Sequence, residues 1–154
     1  MKVVVQRVKS ASCKVNDKER SKIKNGYLLL VGFTNNDSLK EVNYLAKKIA
    51  NLRIFEDDLG KLNKSIINMN YEILSISQFT LYGDASKGNR PSFTKALEPK
   101  KALKLYLELT RILMTEYNIN TFNGAFGEHM VIELVNDGPV TIILESKWKK
   151  WFEN

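Results

Sequence analysis

The sequence is poor in the residues that build disulfides and metal centres. Its 154 residues include one cysteine, Cys13, and one histidine, His129. A single cysteine allows no internal disulfide, so nothing in the sequence points to secretion. One cysteine and one histidine also argue against a zinc site, which needs about four ligands. Any Ser-His-Asp or Cys-His catalytic device would have to use His129.

Long hydrophobic runs are also missing. The longest strongly apolar run, residues 27–33, is far shorter than the roughly 20 residues that a membrane span requires. The stretch 1–7 is interrupted by polar residues too early for a signal peptide. We therefore expect a soluble, cytoplasmic protein with no membrane partner.

Length and composition predict one folded domain that spans residues 1–154. Hydrophobic residues make up 44% and charged residues 27%, as in an ordinary globular protein. Lysine and arginine number 24 against 17 aspartate and glutamate residues, so the formal net charge is +7. A basic surface favours anionic partners, namely nucleic acid, phosphorylated ligands or acidic membranes, without choosing among them.

Short apolar stretches rich in β-branched residues predict several strands. Stretch 27–33 is apolar on both faces, which indicates a buried central strand. Stretches 129–135 and 140–144 read as strands, and the Asn-Asp-Gly-Pro sequence between them predicts a hairpin. The remaining predicted strands are residues 2–8, 11–15, 20–23, 54–55 and 72–79.

Two longer segments carry helical signals. Ser38 and Glu41 form a capping-box pattern, and the apolar residues that follow predict a helix over 38–52. Pro99 suits the first position of a second helix, where its missing N–H is not needed. The apolar positions of the two helices are Leu39, Val42, Ala46 and Ile49, then Ala102, Leu105, Tyr106, Leu109, Ile112 and Leu113. Together the elements predict an α+β fold, a mostly antiparallel sheet or partial β-barrel with two main helices.

Common cofactor motifs are incomplete. Gly83 and Gly88 have the spacing of a phosphate-binding P-loop, but Asn89 and Arg90 stand where lysine and serine or threonine are required. The glycine pattern of dinucleotide-binding proteins does not occur. His129, beside a glutamate at a predicted strand start, is interpreted as a surface or edge residue.

Three polar segments remain as candidates for chemistry. Residues 77–80 end a predicted strand, where backbone N–H groups can hold a developing oxyanion, although a plain polar strand end explains them equally well. The loop 87–93 carries two cations and an aromatic ring that suit phosphate and base contacts, yet alone it is better explained as a solvated loop. Segment 136–141 contains Gly-Pro, which usually marks only a turn.

These segments form three motifs in a fixed order: Ser-Gln-Phe-Thr-Leu at 77–81, Gly-Asn-Arg-Pro-Ser-Phe at 88–93 and Asn-Asp-Gly-Pro-Val-Thr at 136–141. Further matches lie at residues 6–8, 52–55 and 60–63. The arrangement resembles the D-aminoacyl-tRNA deacylase family over residues 1–145 and leaves 145–154 as a tail beyond the core match.

The resemblance implies an enzyme that hydrolyses the ester bond of D-aminoacyl-tRNA, releasing free D-amino acid and tRNA, as a proofreading step in translation. Family members also clear glycine from the wrong tRNA. They are homodimers with active sites at the subunit interface, and they need no metal or other cofactor. The implied partners are therefore tRNA and a second copy of the chain.

The resemblance also implies a catalytic segment. By similarity, Ser77, Gln78, Phe79 and Thr80 line the pocket for the aminoacyl group and the terminal adenosine. In one view of the family Thr80 is the nucleophile; in another, the tRNA 2′-hydroxyl assists a water while N–H groups near Phe79 and Thr80 hold the oxyanion. We favour the water route, because a threonine hydroxyl is a weak nucleophile without a base and the ester is already activated.

A second implied element rejects L-amino acids. Gly138 and Pro139 match a cis Gly-Pro element that one subunit inserts into its partner's active site. Its rigid carbonyls leave room for the hydrogen on the Cα of a D-residue and clash with the group that an L-residue places there. Arg7 resembles the arginine that holds this element, and Phe126 and Met130 match positions that border the pocket.

Other positions are less firmly matched. Lys87 and Arg90 are candidate tRNA contacts. Glu128 departs from the family, many of whose members have a small residue there, which puts the pocket's shape in question. The tail 147–152 mixes cations and aromatics, which we interpret as a cap on the sheet.

Two other functions remain open. One is a non-catalytic RNA-binding module that uses the basic faces and aromatics. The other is an editor of L-aminoacyl-tRNA with the same fold, which would require a trans Gly-Pro bond. Ester turnover and its chirality distinguish all three.

Overall fold

The computed structural model describes residues 1–146, which form eight strands, three α-helices and one 3₁₀ turn. In chain order these are β1 (Lys2–Val15), β2 (Lys18–Ile23), β3 (Gly26–Gly32), α1 (Leu39–Asn51), β4 (Phe55–Glu56), β5 (Leu62–Lys64), α2 (Ile66–Met69), β6 (Glu72–Ser77), the 3₁₀ turn (Phe79–Tyr82), α3 (Pro99–Thr115), β7 (Thr121–Asn123) and β8 (Val131–Glu145). The tail 147–152, interpreted above as a cap, lies outside the described residues.

A mixed six-stranded sheet is the framework of the molecule. Along one edge β1 pairs antiparallel with β8, and along the other it pairs antiparallel with β3 and then β2. β3 pairs in parallel with β6, and β6 with β7. The predicted α+β fold with a mostly antiparallel sheet is confirmed. β3 lies between two strands and is buried, as its apolar sequence predicts.

Helices α1 and α3 pack against one face of the sheet and complete the larger core. The capping box between Ser38 and Glu41 is present, and Pro99 opens α3 as predicted. Leu39 is 50% exposed, so its predicted place in the core is wrong: it lies in the first turn, outside the buried stripe. Tyr106 of α3 is buried and donates its hydroxyl to the Ser75 carbonyl oxygen at 2.6 Å.

The end of β6 differs from its sequence pattern. The strand stops at Ser77, two residues before the predicted end, and the Gln78 N–H makes a last bond to the Val31 carbonyl oxygen at 2.7 Å. A side chain at Gly32 would place its Cβ 2.9 Å from the Gln78 carbonyl oxygen, so this close crossing requires glycine. The 3₁₀ turn then carries Phe79 out of the sheet, at the carboxyl ends of β3 and β6.

The predicted hairpin across residues 136–139 is wrong. Both halves belong to one strand, β8, which runs antiparallel to β1 throughout. Gln6 pairs with Thr141 and Val8 with Asn136, so residues 137–140 bulge outward opposite the single residue Arg7. The Gly-Pro signal therefore marks an excursion from the sheet, and the chain rejoins the sheet in its original direction.

Candidate active site

A cavity of about 600 Å³ opens at the carboxyl ends of β3 and β6. Four separate parts of the chain supply its walls: the strand ends at 31–33 and 76–79, the segment 93–102, and the segment 126–132. Most of the wall is apolar. The polar side chains among the described wall residues are Ser77, Gln78, Glu98, Glu128 and His129. This volume and composition are typical of a site for a small organic ligand.

Two exposed phenylalanine rings form part of this wall. Phe79 is 56% exposed, and its ring meets that of Phe93 edge to face with centroids 5.3 Å apart. Deeper in the cavity, Phe126 packs against Tyr106. An exposed aromatic pair beside a cavity offers apolar faces on which a planar ring, such as a nucleobase, can stack.

The polar end of the cavity is the start of the 3₁₀ turn. The backbone N–H groups of Phe79 and Thr80 donate to no acceptor within residues 1–146, as expected for the first N–H groups of a helical turn. The Thr80 hydroxyl is exposed and accepts a short hydrogen bond from the Gln78 side-chain amide. That partner is a donor, so it cannot act as a base toward Thr80. The segment thus offers unpaired backbone donors beside Ser77 and Gln78.

The loop 84–95 brings Phe93 to the cavity. The backbones of Asp84 and Ser92 exchange two hydrogen bonds of 2.8 Å, and the Asp84 carboxylate accepts from the Ser86 N–H and from Lys95 Nζ. The hydrogen bonds from Ser86, together with the charge of Lys95, hold the pKa of Asp84 well below its usual range. The loop is therefore anchored on one carboxylate. Its two remaining cations, Lys87 and Arg90, are exposed.

Arg7 forms a clamp beneath the bulge of β8. Its side chain is 5% exposed, its Nε donates to the Asp137 carbonyl oxygen, and its Nη1 donates to the Ile54 carbonyl oxygen, both at 2.8 Å. The Glu56 carboxylate lies 3.4 Å from Nη2, and the Asp137 carboxylate lies 3.7 Å from Nε. The guanidinium is thus compensated on several sides, which a buried charge requires. The clamp ties the bulge to Ile54, the residue immediately before β4.

The structure places only some of the predicted site residues on the cavity wall. Ser77, Gln78, Phe79, Phe126 and Met130 line the cavity. The other six predicted positions are not among its described wall residues; they are Thr80, Arg7, Gly138, Pro139, Lys87 and Arg90. The Gly138–Pro139 peptide bond is cis, and both residues are exposed on the bulge.

Sequence reasoning missed several wall residues. His129, interpreted as a plain surface or edge residue, is exposed but lies on the cavity wall beside Glu128. Glu98 reaches the wall because α3 begins there, and Pro99 at the helix start was the available signal. Nothing local in the sequence connects position 98 with position 129.

Residues 1–146 contain neither a cluster of metal-ligand side chains nor a helix that could span a membrane. No three histidine, cysteine, aspartate or glutamate side chains in this part of the chain converge as metal ligands do. Its helices include none with the length and apolar character needed to cross a membrane.

The fold and cavity define a ligand-binding α+β protein with unpaired backbone donors at one end of an apolar site. Comparison with known proteins is more specific. The family model described as D-Tyr-tRNA(Tyr) deacylase matches residues 4–145, and the chain belongs to this family. The resemblance seen in the sequence is therefore confirmed.

Individual relatives agree over nearly the whole chain. A D-aminoacyl-tRNA deacylase of Clostridium novyi (strain NT) is 50% identical over 96% of this chain and 98% of its own. A D-aminoacyl-tRNA deacylase of Staphylococcus aureus (strain JH9) is 52% identical over 96% of this chain and 97% of its own. A solved structure of a c-Myc DNA Unwinding Element Binding Protein is 42% identical, with a TM-score of 0.90 over 96% of this chain and 99% of that one.

Proposed function

We propose that this chain hydrolyses the ester bond of D-aminoacyl-tRNA in the cytoplasm and releases the D-amino acid and the tRNA. The observation that carries the proposal is the apolar cavity with the unpaired N–H groups of Phe79 and Thr80 at one end. It offers a stacking surface for the terminal adenine next to donors for an ester oxygen. The names of relatives about 50% identical support the same substrate.

In the proposed reaction the adenine stacks against Phe79 and Phe93, and the ester carbonyl points to the free N–H groups. Water adds to the carbonyl carbon, and the tRNA 2′-hydroxyl helps to remove its proton. The developing oxyanion is held by the backbone of Phe79 and Thr80, which needs little reorganisation. The carbon–oxygen ester bond then breaks, and the ribose oxygen takes up a proton.

The proposed chiral selector is the bulge at Gly138 and Pro139, acting in the cavity of a second copy. This bulge is not part of the wall of its own cavity, so in this proposal a partner brings it there. β8 offers a surface for that partner, because three of its apolar side chains are 51–63% exposed: Val131, Val135 and Ile143. A homodimer would cover them. Glycyl esters, which lack a Cβ, would also pass the selector.

The test is to incubate the purified protein with D-tyrosyl-tRNA and L-tyrosyl-tRNA in the presence of EDTA and follow ester loss. We expect rapid loss of the D-ester alone. Loss of the L-ester at a comparable rate would indicate the alternative editor. Persistence of both esters would overturn the proposed activity.

A second candidate, nucleic-acid binding without catalysis, is favoured by two observations. The 42% identical relative carries the name of a DNA-binding protein, and this chain has a net charge of +7. Binding of tRNA without loss of either ester would support this candidate.

Replacing Thr80 with alanine separates the two routes of hydrolysis. The Thr80 hydroxyl accepts from the Gln78 amide and has no base among its described partners. We therefore expect Thr80→Ala to keep kcat within about tenfold of the wild-type value, since the backbone N–H donor remains. Single-turnover deacylation of D-tyrosyl-tRNA measures this. Complete loss of hydrolysis in a folded variant would instead count against the water route.

A further inference from the structure

The start of α3, which adjoins the cavity, carries three exposed lysines. Glu98, Pro99 and Ala102 belong to the cavity wall. The intervening and following residues Lys100, Lys101 and Lys104, which we call the α3 lysine ridge, are exposed. Within residues 1–146, no carboxylate forms an ion pair with any of the three. The ridge is therefore exposed positive charge without an ion-pair partner among the described residues, on the helix that begins at the cavity.

The placement of these lysines opposes the stability of the helix that carries them. Cations near a helix N-terminus oppose its dipole, and α3 has no acidic residue in its first turn. Lys104 also follows Lys100 by four residues and Lys101 by three, so the like charges repel across adjacent turns. In α1 the arrangement is the favourable one, with Glu41 in the first turn and Lys48 in the last. An anionic partner would relieve the cost in α3.

We propose that the α3 lysine ridge binds backbone phosphates of the tRNA acceptor stem while the 3′ end of the same tRNA occupies the cavity. This inference rests on the proposed function. Lys100 and Lys104 lie one turn apart, about 6 Å along the helix axis, so they can follow consecutive parts of a phosphate backbone. RNA is favoured over an acidic membrane because the ridge lies on the helix whose first residues, Glu98 and Pro99, belong to the wall of a cavity that fits an aminoacyl-adenosine end.

The experiment compares two substrates on a variant in which the ridge is neutralised, Lys100→Gln/Lys101→Gln/Lys104→Gln. For D-tyrosyl-tRNA we expect KM to rise at least tenfold with little change in kcat. For D-tyrosyl-adenosine, which is too small to reach the ridge, we expect unchanged kinetics. The slope of log affinity for tRNA against log salt should fall by about one for each lysine that contacts a phosphate. The thermal midpoint should be equal or higher, because helix repulsion is removed.

A matched control removes the same charge elsewhere. Lys18, Lys22 and Lys24 are exposed, and the latter two line a separate cleft at the amino ends of β3 and β6. A seven-residue strand separates the two ends of β3 by roughly 20 Å. We expect Lys18→Gln/Lys22→Gln/Lys24→Gln to leave the KM for D-tyrosyl-tRNA within about twofold of wild type.

Three results would overturn the proposed role of the ridge in tRNA binding. The first is an equal rise in KM for both triple variants, which would indicate net charge alone. The second is loss of D-tyrosyl-adenosine hydrolysis in the ridge variant, which would indicate damage to the cavity. The third is unchanged binding of uncharged tRNA by the ridge variant, measured by fluorescence anisotropy. Because that last measurement needs no catalysis, it separates failure of the ridge from failure of the proposed activity.

Discussion

Replacing Gly138 with alanine is expected to lower kcat/KM for D-tyrosyl-tRNA by about 100-fold, the cost of a displacement near 1 Å at a reacting centre. Gly138 has φ +130°, and an added Cβ would lie 2.9 Å from Val140 Cγ2 and 3.2 Å from Arg7 Nη2. The bulge must therefore shift, and the proposed selector shifts with it. Steady-state hydrolysis of the D- and L-esters, with a thermal melt, measures the effect.

The matched control is Gly60→Ala. Gly60 also has a positive φ, of +76°, but its added Cβ meets no atom within 4 Å, and it lies in a turn that is not part of the cavity wall. The control should lose some stability and keep its activity. An unchanged rate and an unchanged D/L ratio in Gly138→Ala would show that the bulge takes no part in selection.

Subunit mixing tests whether the bulge acts in the partner's cavity. Gly138→Ala and Phe79→Ala chains are combined, so that a mixed dimer has one site with both changes and one with neither. Random pairing of equal amounts would restore about a quarter of the wild-type sites. If activity stays at the mean of the two parent variants, the site does not combine these residues from two subunits.

Replacing Arg7 with methionine is the second change expected to have a large effect. It removes two hydrogen bonds from a charged donor and leaves the carbonyl oxygens of Ile54 and Asp137 without that partner. We expect the free energy of unfolding to fall by about 2–4 kcal/mol. Hydrolysis of D-tyrosyl-tRNA should fall by about 100-fold because the bulge loses its clamp. Urea unfolding and steady-state kinetics measure the two effects.

Arg111→Met serves as the control for charge and shape. Arg111 is exposed and pairs with Glu108 three residues before it, so its loss should change stability by about 0.5 kcal/mol or less. If Arg7→Met were destabilised but fully active, Arg7 would support the fold without positioning the bulge. If it were unchanged in both respects, the clamp itself would be refuted.

Much of the secondary structure could be predicted from the sequence because its signals are local. The capping box at Ser38 and Glu41 and the proline at position 99 act within one helical turn of themselves. The apolar run at 27–33 reports burial on both faces, which a strand inside a covered sheet requires. These signals mean the same thing in almost any tertiary context.

The hairpin prediction was wrong because its signal, unlike those of the helices, depends on the tertiary context. Asn-Asp-Gly-Pro reports that regular pairing is interrupted, and it carries no information on the direction in which the chain leaves. That direction is set by the partner strand β1, whose 14 residues continue past Arg7 and pair with both halves of β8. Register between positions more than 100 residues apart depends on many contacts at once.

The sequence by itself determined the family, the α+β class and the helix starts, and it proposed the segment 77–80 as part of the site. Only the tertiary structure decided which residues meet: Phe79, Phe93 and His129 lie at one cavity, and the Gly138 bulge and Arg7 are not part of its wall. It also placed the start of α3 at that cavity. The physical reason is the distance along the chain over which each signal acts. Motifs and caps depend on neighbours a few residues away, whereas a cavity exists only after strands and helices distant in sequence have packed.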